Sequence, residues 1–285
     1  MPVNFLGQDN LKRYFNSLGL SNCPHSILLC GVKGSGKHTF CQYLCDQMGM
    51  LYVDVKASIG NNKLSTKGYS ASELREYIDY CYTCVDTRCL VIDYADIDIK
   101  DSASLLKFLE EPPKNIFVVL LTEYLEYVLD TIRNRCRVMY MEPYTNEQLG
   151  EFCTCADELD MVMKYATNPG QVIELCRVGL QRVKSVEALC NNIFNQIQNA
   201  SYSNILNIPE TFFSSKNDNF PFEVFLRMLT STISAIVSQN IVSVEYYSAA
   251  ILTFKFSHTC KNPRVDKRVE LENYLFELKQ TLRGG

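Results

Sequence analysis

Five short, largely apolar runs punctuate the first half of the chain: Ser26–Cys30, Leu51–Val55, Cys89–Asp93, Ile116–Thr122 and Arg137–Met141. Runs of this length predict strands covered on both faces. Helical patterns alternate with them. Leu11, Tyr14 and Phe15 share one helical face, and Thr39–Met48 follows a glycine-rich turn. Ser70–Glu73 is a capping box that opens a helix with Leu74, Tyr77, Ile78 and Cys81 on its apolar side. Ser102–Glu110 is a helix stopped by Pro112 and Pro113. Residues 57–69 are polar and Gly/Asn/Ser/Lys-rich, a loop pattern. The alternation predicts a mostly parallel sheet with helices on both faces.

After Pro143 the strand pattern stops. Thr145–Gln148 is a second capping box, and Asn168-Pro169-Gly170 starts another helix. Helices are expected over 185–198, over Phe220–Ser238 with a stripe of Phe222, Phe225, Leu226, Leu229, Ile233, Ile236 and Val237, over Val244–Cys260 and over Val265–Leu282. The Ser/Asn-rich segment 199–219 reads as a long loop. The apolar face of Phe220–Ser238 is the surface expected to associate with partners. The expected architecture is α/β plus all-α. It has an α/β domain over 1–143, a small helical domain over 144–180, and a C-terminal helical domain over 181–285.

Composition narrows the function classes. The 285 residues are 47% apolar and 21% charged, with a net charge of −4, so wholesale electrostatic attachment to nucleic acid is not expected. No apolar run has the length of a membrane span. Met1–Phe15 lacks the long apolar run of a signal peptide. The 13 cysteines are scattered through apolar stretches and read as reduced thiols of a cytoplasmic protein.

Candidate chemistry begins at the first strand. Ser26-Ile-Leu-Leu-Cys-Gly31-Val-Lys-Gly34-Ser35-Gly36-Lys37-His38-Thr39 fits the phosphate-loop pattern, with His38 where Ser or Thr stands. Glycines let backbone N–H groups approach a phosphate chain, and the following helix adds its uncapped N–H groups and partial positive charge. Lys37 would reach the outer phosphates, whereas the hydroxyl that holds Mg²⁺ is missing. Asp93 ends an apolar strand 55 residues after His38, where a magnesium-positioning acid belongs. Together the two features point to a nucleotide-type ATPase fold.

Ser104-Leu-Leu-Lys-Phe-Leu-Glu-Glu-Pro-Pro113 and Leu129-Asp-Thr-Ile-Arg-Asn134-Arg135-Cys136 resemble the LLK-LEEPP and SRC signatures of the AAA+ clamp-loader family. Phe5-Leu-Gly-Gln8 and Pro24–Gly31 fit the same family, and the resemblance lies closest to its delta-prime-like branch. It implies a P-loop AAA+ domain with a parallel sheet, a lid, and a C-terminal collar that packs with sister subunits. Thr122 would stand at the sensor-1 position. Three positions depart from active members: His38, Tyr94 in place of the water-polarising glutamate, and Gln171 in place of an arginine in the lid. Thr39 would substitute for His38 only if the loop slipped by one residue.

Arg135 matches the arginine that, in this family, reaches the ATP site of a neighbouring subunit. The plainer alternative is that Arg133, Arg135 and Arg137 solvate the negative end of a helix. The resemblance implies a stator. It would help load a sliding clamp onto primer–template DNA together with gamma/tau-like and delta-like subunits, and would have no autonomous ATPase activity. Its cofactor is ATP or none, with Mg²⁺ only if nucleotide binds. The alternatives are an active, gamma/tau-like ATPase subunit and an ATP-binding regulator with the same fold. Cys81, Cys84 and Cys89 fall one ligand short of a structural zinc site, and no metal is assigned. Cys41 and Cys45 are expected in the core.

Overall fold

A computed structural model describes residues 5–55, 71–93, 102–154, 159–197, 199–213, 220–239, 244–260 and 265–283. Met1–Glu151 with Thr167–Gly170 form one compact unit, and Phe152–Ala166 with Gln171–Gly285 form a second.

The first unit runs α1 (Asp9–Leu18), β1 (Ser26–Cys30), α2 (Lys37–Met48), β2 (Leu51–Asp54), α3 (Ala71–Cys81), β3 (Arg88–Asp93), α4 (Ser102–Glu110), β4 (Ile116–Thr122), α5 (Asp130–Arg133), β5 (Arg137–Tyr140) and α6 (Asn146–Gly150). The five strands form one sheet in the order β2-β3-β4-β1-β5, and every pairing is parallel. Helix α2 starts two residues earlier than the apolar pattern predicts. The loop over 57–69 and the Ser70 cap lie outside the described residues.

Alternation along each strand explains the unbroken apolar runs. Ile27, Leu29, Val91, Val119 and Leu121 pack with Phe15, Phe40, Cys41, Leu44 and Cys45 of α1 and α2. Leu28, Leu90, Ile92, Val118 and Leu120 pack with Ile78, Cys81, Leu105 and Phe108 of α3 and α4. Successive side chains point to opposite faces, so a strand covered on both sides has no position for a polar residue. Each such Leu or Phe contributes about 1.5–3 kcal/mol when fully buried. Burial pushes the Cys81 thiol up to about 12, as expected of a packed core cysteine.

Register sets what meets at each edge of the sheet. Cys30 pairs with Thr122, and Leu121 with Asp93, so β1, β3 and β4 end together. At the opposite edge Ile27 pairs with Arg137, and the Ser26 hydroxyl donates to the Leu109 carbonyl at 3.0 Å. That hydrogen bond ties the end of α4 to the start of β1.

The second unit holds α7 (Leu159–Tyr165), α8 (Pro169–Val178, from Gln171 onward), α9 (Leu180–Gln196), α10 (Tyr202–Asn207), α11 (Glu210–Phe213), α12 (Phe222–Gln239), α13 (Val244–Thr259) and α14 (Lys267–Arg283). Its core gathers Phe194, Phe225, Leu229, Phe256, Leu275 and Leu278, with Phe212 and Phe225 rings 4.2 Å apart and Phe256 stacked on Tyr274 at 4.4 Å. The buried Tyr274 hydroxyl keeps a hydrogen-bond partner in Thr253 at 2.8 Å.

Two expectations are corrected here. Residues 202–207 and 210–213, read as loop, are helical. Ser201 caps α10 by accepting from the Asn204 N–H at 3.2 Å, and Ile205 and Phe212 are buried. A buried contact outweighs the loop-like composition. The stripe on α12 is not a free face either: Phe225, Leu226, Leu229 and Ile233 are buried inside the unit. The exposed apolar stripe lies on α13 instead, at Val244, Tyr247, Ile251 and Phe254. Their spacing of three, four and three residues places them on one helical face. Among the described residues, no helix is long and apolar enough to cross a membrane.

Candidate functional site

The candidate loop leaves β1 at the edge where three strands end. The Gly31 N–H donates to the Thr122 carbonyl at 3.0 Å, which fixes the loop's start against β4. Gly34 and Gly36 both have positive φ, 85° and 87°, in the region that favours glycine. Gly36 is also the N-cap of α2 and supplies no side-chain cap, so the first N–H groups of the helix meet no capping side chain. The Tyr144 hydroxyl donates to the Ser35 carbonyl at 3.0 Å, and the Phe5 ring lies against Gly36. Ser35 itself is buried, and among the described residues its Oγ has no hydrogen-bond partner.

Lys37 and His38 of the loop are both engaged within the chain. Lys37 Nζ donates to the Gly31 carbonyl at 2.6 Å and to the Val32 carbonyl at 3.2 Å. Burial lowers its pKa, against the opposing pull of Glu123 and Asp93. His38 places Nε2 3.2 Å from Asp93 Oδ2 and Nδ1 3.1 Å from the Tyr52 hydroxyl. The hydrogen bond to Asp93 raises the His38 pKa, more than burial lowers it. Thr39 is exposed one position on, about 100° further around the helix. The Thr122 hydroxyl accepts from the Tyr124 N–H at 3.2 Å and donates to the Tyr124 carbonyl at 3.1 Å, so its bonds lie in its own turn.

The segment read as the start of a lid helix, with Gln171 in place of an arginine, closes on this loop. The Gly170 N–H donates to the Gly34 carbonyl at 2.9 Å, and Asn168 Nδ2 donates to the Lys33 carbonyl at 3.3 Å. A Cβ on Gly170 would lie 2.6 Å from Gly34 Cα. Asn168, Gly170, Tyr52 and Tyr144 were missed as site residues. Only the Asn-Pro-Gly run carried any local signal.

The residues present do not fit a Mg²⁺ ion. Mg²⁺ takes oxygen ligands in near-octahedral geometry. The position that would offer a hydroxyl carries an imidazole, and that imidazole is hydrogen-bonded to the carboxylate a cation would use. Tyr94, Ala95 and Asp96 lie outside the described residues.

Arg135 sits elsewhere. It follows α5 and precedes β5, whose Arg137 pairs with Ile27 near the start of β1. The loop leaves from the other end of β1, so Arg135 and Gly31–Thr39 occupy opposite edges of the sheet. Its guanidinium contacts Glu110 at 2.5 Å, and its NH1 donates to the Thr131 carbonyl at 2.7 Å. Glu110 is half exposed, and Arg133 makes a separate pair with Asp130 at 2.5 Å.

Comparison with known proteins adds an independent line. The family described as "DNA polymerase III, delta subunit" matches residues 50–145. The delta-prime subunit of DNA polymerase III from Bacillus subtilis is 29% identical over 161 residues, covering 50% of this chain and 49% of that protein. The gamma/tau subunit from Mycoplasma genitalium is 25% identical over 175 residues, 53% of this chain and 29% of the relative. The gamma subunit from Buchnera aphidicola (subsp. Acyrthosiphon pisum) is 25% identical over 157 residues, 48% of this chain and 44% of the relative. The matched region thus spans at most about half the length of these relatives. A solved structure titled as a DNA polymerase III gamma subunit-related protein from Thermotoga maritima aligns at 14% identity with a TM-score of 0.48, covering 96% of this chain and 99% of that one. The matched family and the curated relatives thus make this chain similar, over about half its length, to delta-prime and gamma-type subunits of DNA polymerase III.

Proposed function

We propose that this chain is a stator of a DNA polymerase III-type clamp loader in the cytoplasm. Its own ATP site would be degenerate, and Arg135 would act as an arginine finger toward a neighbouring subunit. The observation that carries this reading is the separation of the two sites. Arg135 lies at the edge of the sheet opposite its own phosphate loop, so any phosphate it serves belongs to another chain. Its pair with Glu110 is solvent-accessible, and such pairs contribute about 0–1 kcal/mol. A phosphate can therefore compete for the guanidinium, and bidentate recognition of phosphate is what arginine does best.

The partners in this reading are gamma/tau-like and delta-like sister subunits, with the sliding clamp and primer–template DNA engaged through the complex. The exposed stripe Val244, Tyr247, Ile251 and Phe254 on α13 supports collar packing against a sister subunit. The retained glycines and Lys37 favour a second reading, a regulator that binds ATP without turning it over.

The test is the complex reconstituted with its sister subunits. Arg135→Ala should leave assembly intact and lower ATP hydrolysis at the site it faces by about 10³-fold or more. Normal hydrolysis by the mutant complex would sink the finger, and Lys37-dependent hydrolysis by the isolated chain would sink the stator.

A further inference from the structure

We infer that His38 stands in for the metal at this loop: its ring, bridging Asp93 and Tyr52, occupies the place of a Mg²⁺ ion and makes the loop indifferent to Mg²⁺. The inference deepens the stator reading and rests on it for the identification of Gly31–Thr39 as a phosphate-type cradle.

The geometry carries the argument. In a working loop, the residue after the lysine offers an oxygen to the cation, and the acid at the strand end positions it. Here both places are filled by one connected group. His38 Nε2 meets Asp93 Oδ2 at 3.2 Å, and the other ring nitrogen meets the Tyr52 hydroxyl at 3.1 Å. Tyr52 comes from β2, Asp93 from the neighbouring β3, and Val53 and Asp54 pair with Leu90 and Val91. The ring is thus held from two adjacent strands and from the first turn of α2. A divalent ion between His38 and Asp93 would have to break the Asp93 hydrogen bond and accept a nitrogen ligand in place of a hydroxyl oxygen. Mg²⁺ disfavours that exchange, because it prefers oxygen and holds its geometry rigidly. Thr39 offers no rescue, being exposed at the next position around the helix.

The replacement is local, which makes it reversible by a single substitution. His38→Ser and His38→Thr release Asp93 and restore an oxygen at the same helical position. The experiment measures ATP binding to the full chain by calorimetry, in Mg²⁺ and in EDTA, for the wild type and both variants. Thermal denaturation in the same conditions confirms that each variant is folded. The wild type should show the same ATP affinity, or the same lack of binding, within twofold in the two conditions. At least one folded variant should bind ATP tenfold or more tightly with Mg²⁺ than without. Lys37→Ala in that variant should abolish the gain, which assigns it to this loop. A wild-type chain whose ATP affinity rises tenfold with Mg²⁺ overturns the inference, and so do folded variants with no Mg²⁺ dependence. Either result leaves the stator reading standing, because that reading falls only if the wild type hydrolyses ATP or Arg135 proves dispensable.

Discussion

The two edges of one parallel sheet handle charge in opposite ways. At the edge where β1, β3 and β4 end, Lys37, His38 and Thr122 are bonded within the fold. Lys37 bonds loop carbonyls, His38 bonds Asp93 and Tyr52, Thr122 bonds its own turn, and Gly170 seals against Gly34. At the opposite edge Arg135 is held by a water-accessible carboxylate and a single carbonyl. A group committed inside the fold must break several bonds before it can meet a ligand. A group in an exposed ion pair exchanges partners at a cost of about 1 kcal/mol or less. The contrast is the one expected of the proposed stator, in which the cradle serves as a frame and the arginine serves a partner.

After the loss expected of Arg135→Ala, the next largest effect should come from changing the chemistry at Arg135 while keeping its charge. Arg135→Lys retains a cation near Glu110 but loses the planar fork that grips a phosphate bidentately. Hydrolysis by the reconstituted complex should fall by at least about 10²-fold at the facing site, or about 2.7 kcal/mol. If lysine restores the rate lost by alanine, charge alone suffices and the finger geometry is wrong.

A smaller effect, on stability, should follow from prying open the sealed edge. Gly170→Ala puts a methyl 2.6 Å from Gly34 Cα, where only backbone can give way. Overpacking of this kind costs about 1–3 kcal/mol. Denaturant titration of the variant should show that loss in the unit that holds the sheet, and a loss below about 0.5 kcal/mol would mean the contact is not tight in solution.

These sites differ in how far the sequence revealed them. The frame was legible: β4 matches its apolar run residue for residue, because a strand covered on both faces leaves a continuous signature. The placing of the Gly31–Lys37 loop beside Asp93 was legible because motif spacing is local. Tyr52, Asn168 and Gly170 were not, since they reach the loop only through strand pairing and folding of distant segments. Helix α10 was hidden by a serine- and asparagine-rich stretch in which Ser201 caps the helix. The exposed stripe on α13 was hidden by the opposite face of the same helix. Ala249, Ala250 and Phe256 are buried there, so apolar residues run all the way round and periodicity picks out neither face.

Smaller again is the pH response of the His38–Asp93 pair. The folded-state pKa of His38 is raised, chiefly by its hydrogen bond to Asp93. The pair's stabilisation is therefore fully present below the unfolded histidine pKa of about 6.5 and is lost as pH rises through the higher folded value. Both side chains are more than a third exposed, so solvent screening limits the contribution to under about 1 kcal/mol. The stability difference between the wild type and His38→Gln should be largest at pH 5.5–6 and should shrink as pH rises above about 6.5. A difference that grows with pH would show that His38 is held neutral, with Asp93 acting only as an acceptor.

The smallest effect should come from Glu110→Gln, and its smallness is the point. The substitution removes the charge that holds Arg135 in the free chain but keeps a hydrogen-bond acceptor at the same place. An exposed ion pair contributes a few tenths of a kcal/mol to folding, so the melting midpoint should move by no more than about 1–2 °C. If Glu110 only parks the arginine, hydrolysis by the reconstituted complex should change by less than about twofold, because the arginine leaves that carboxylate when it meets a phosphate. A loss comparable to that of Arg135→Ala would give Glu110 a different role. The carboxylate would then aim the guanidinium in the assembled state, and the ion pair would be part of the finger and not its resting place.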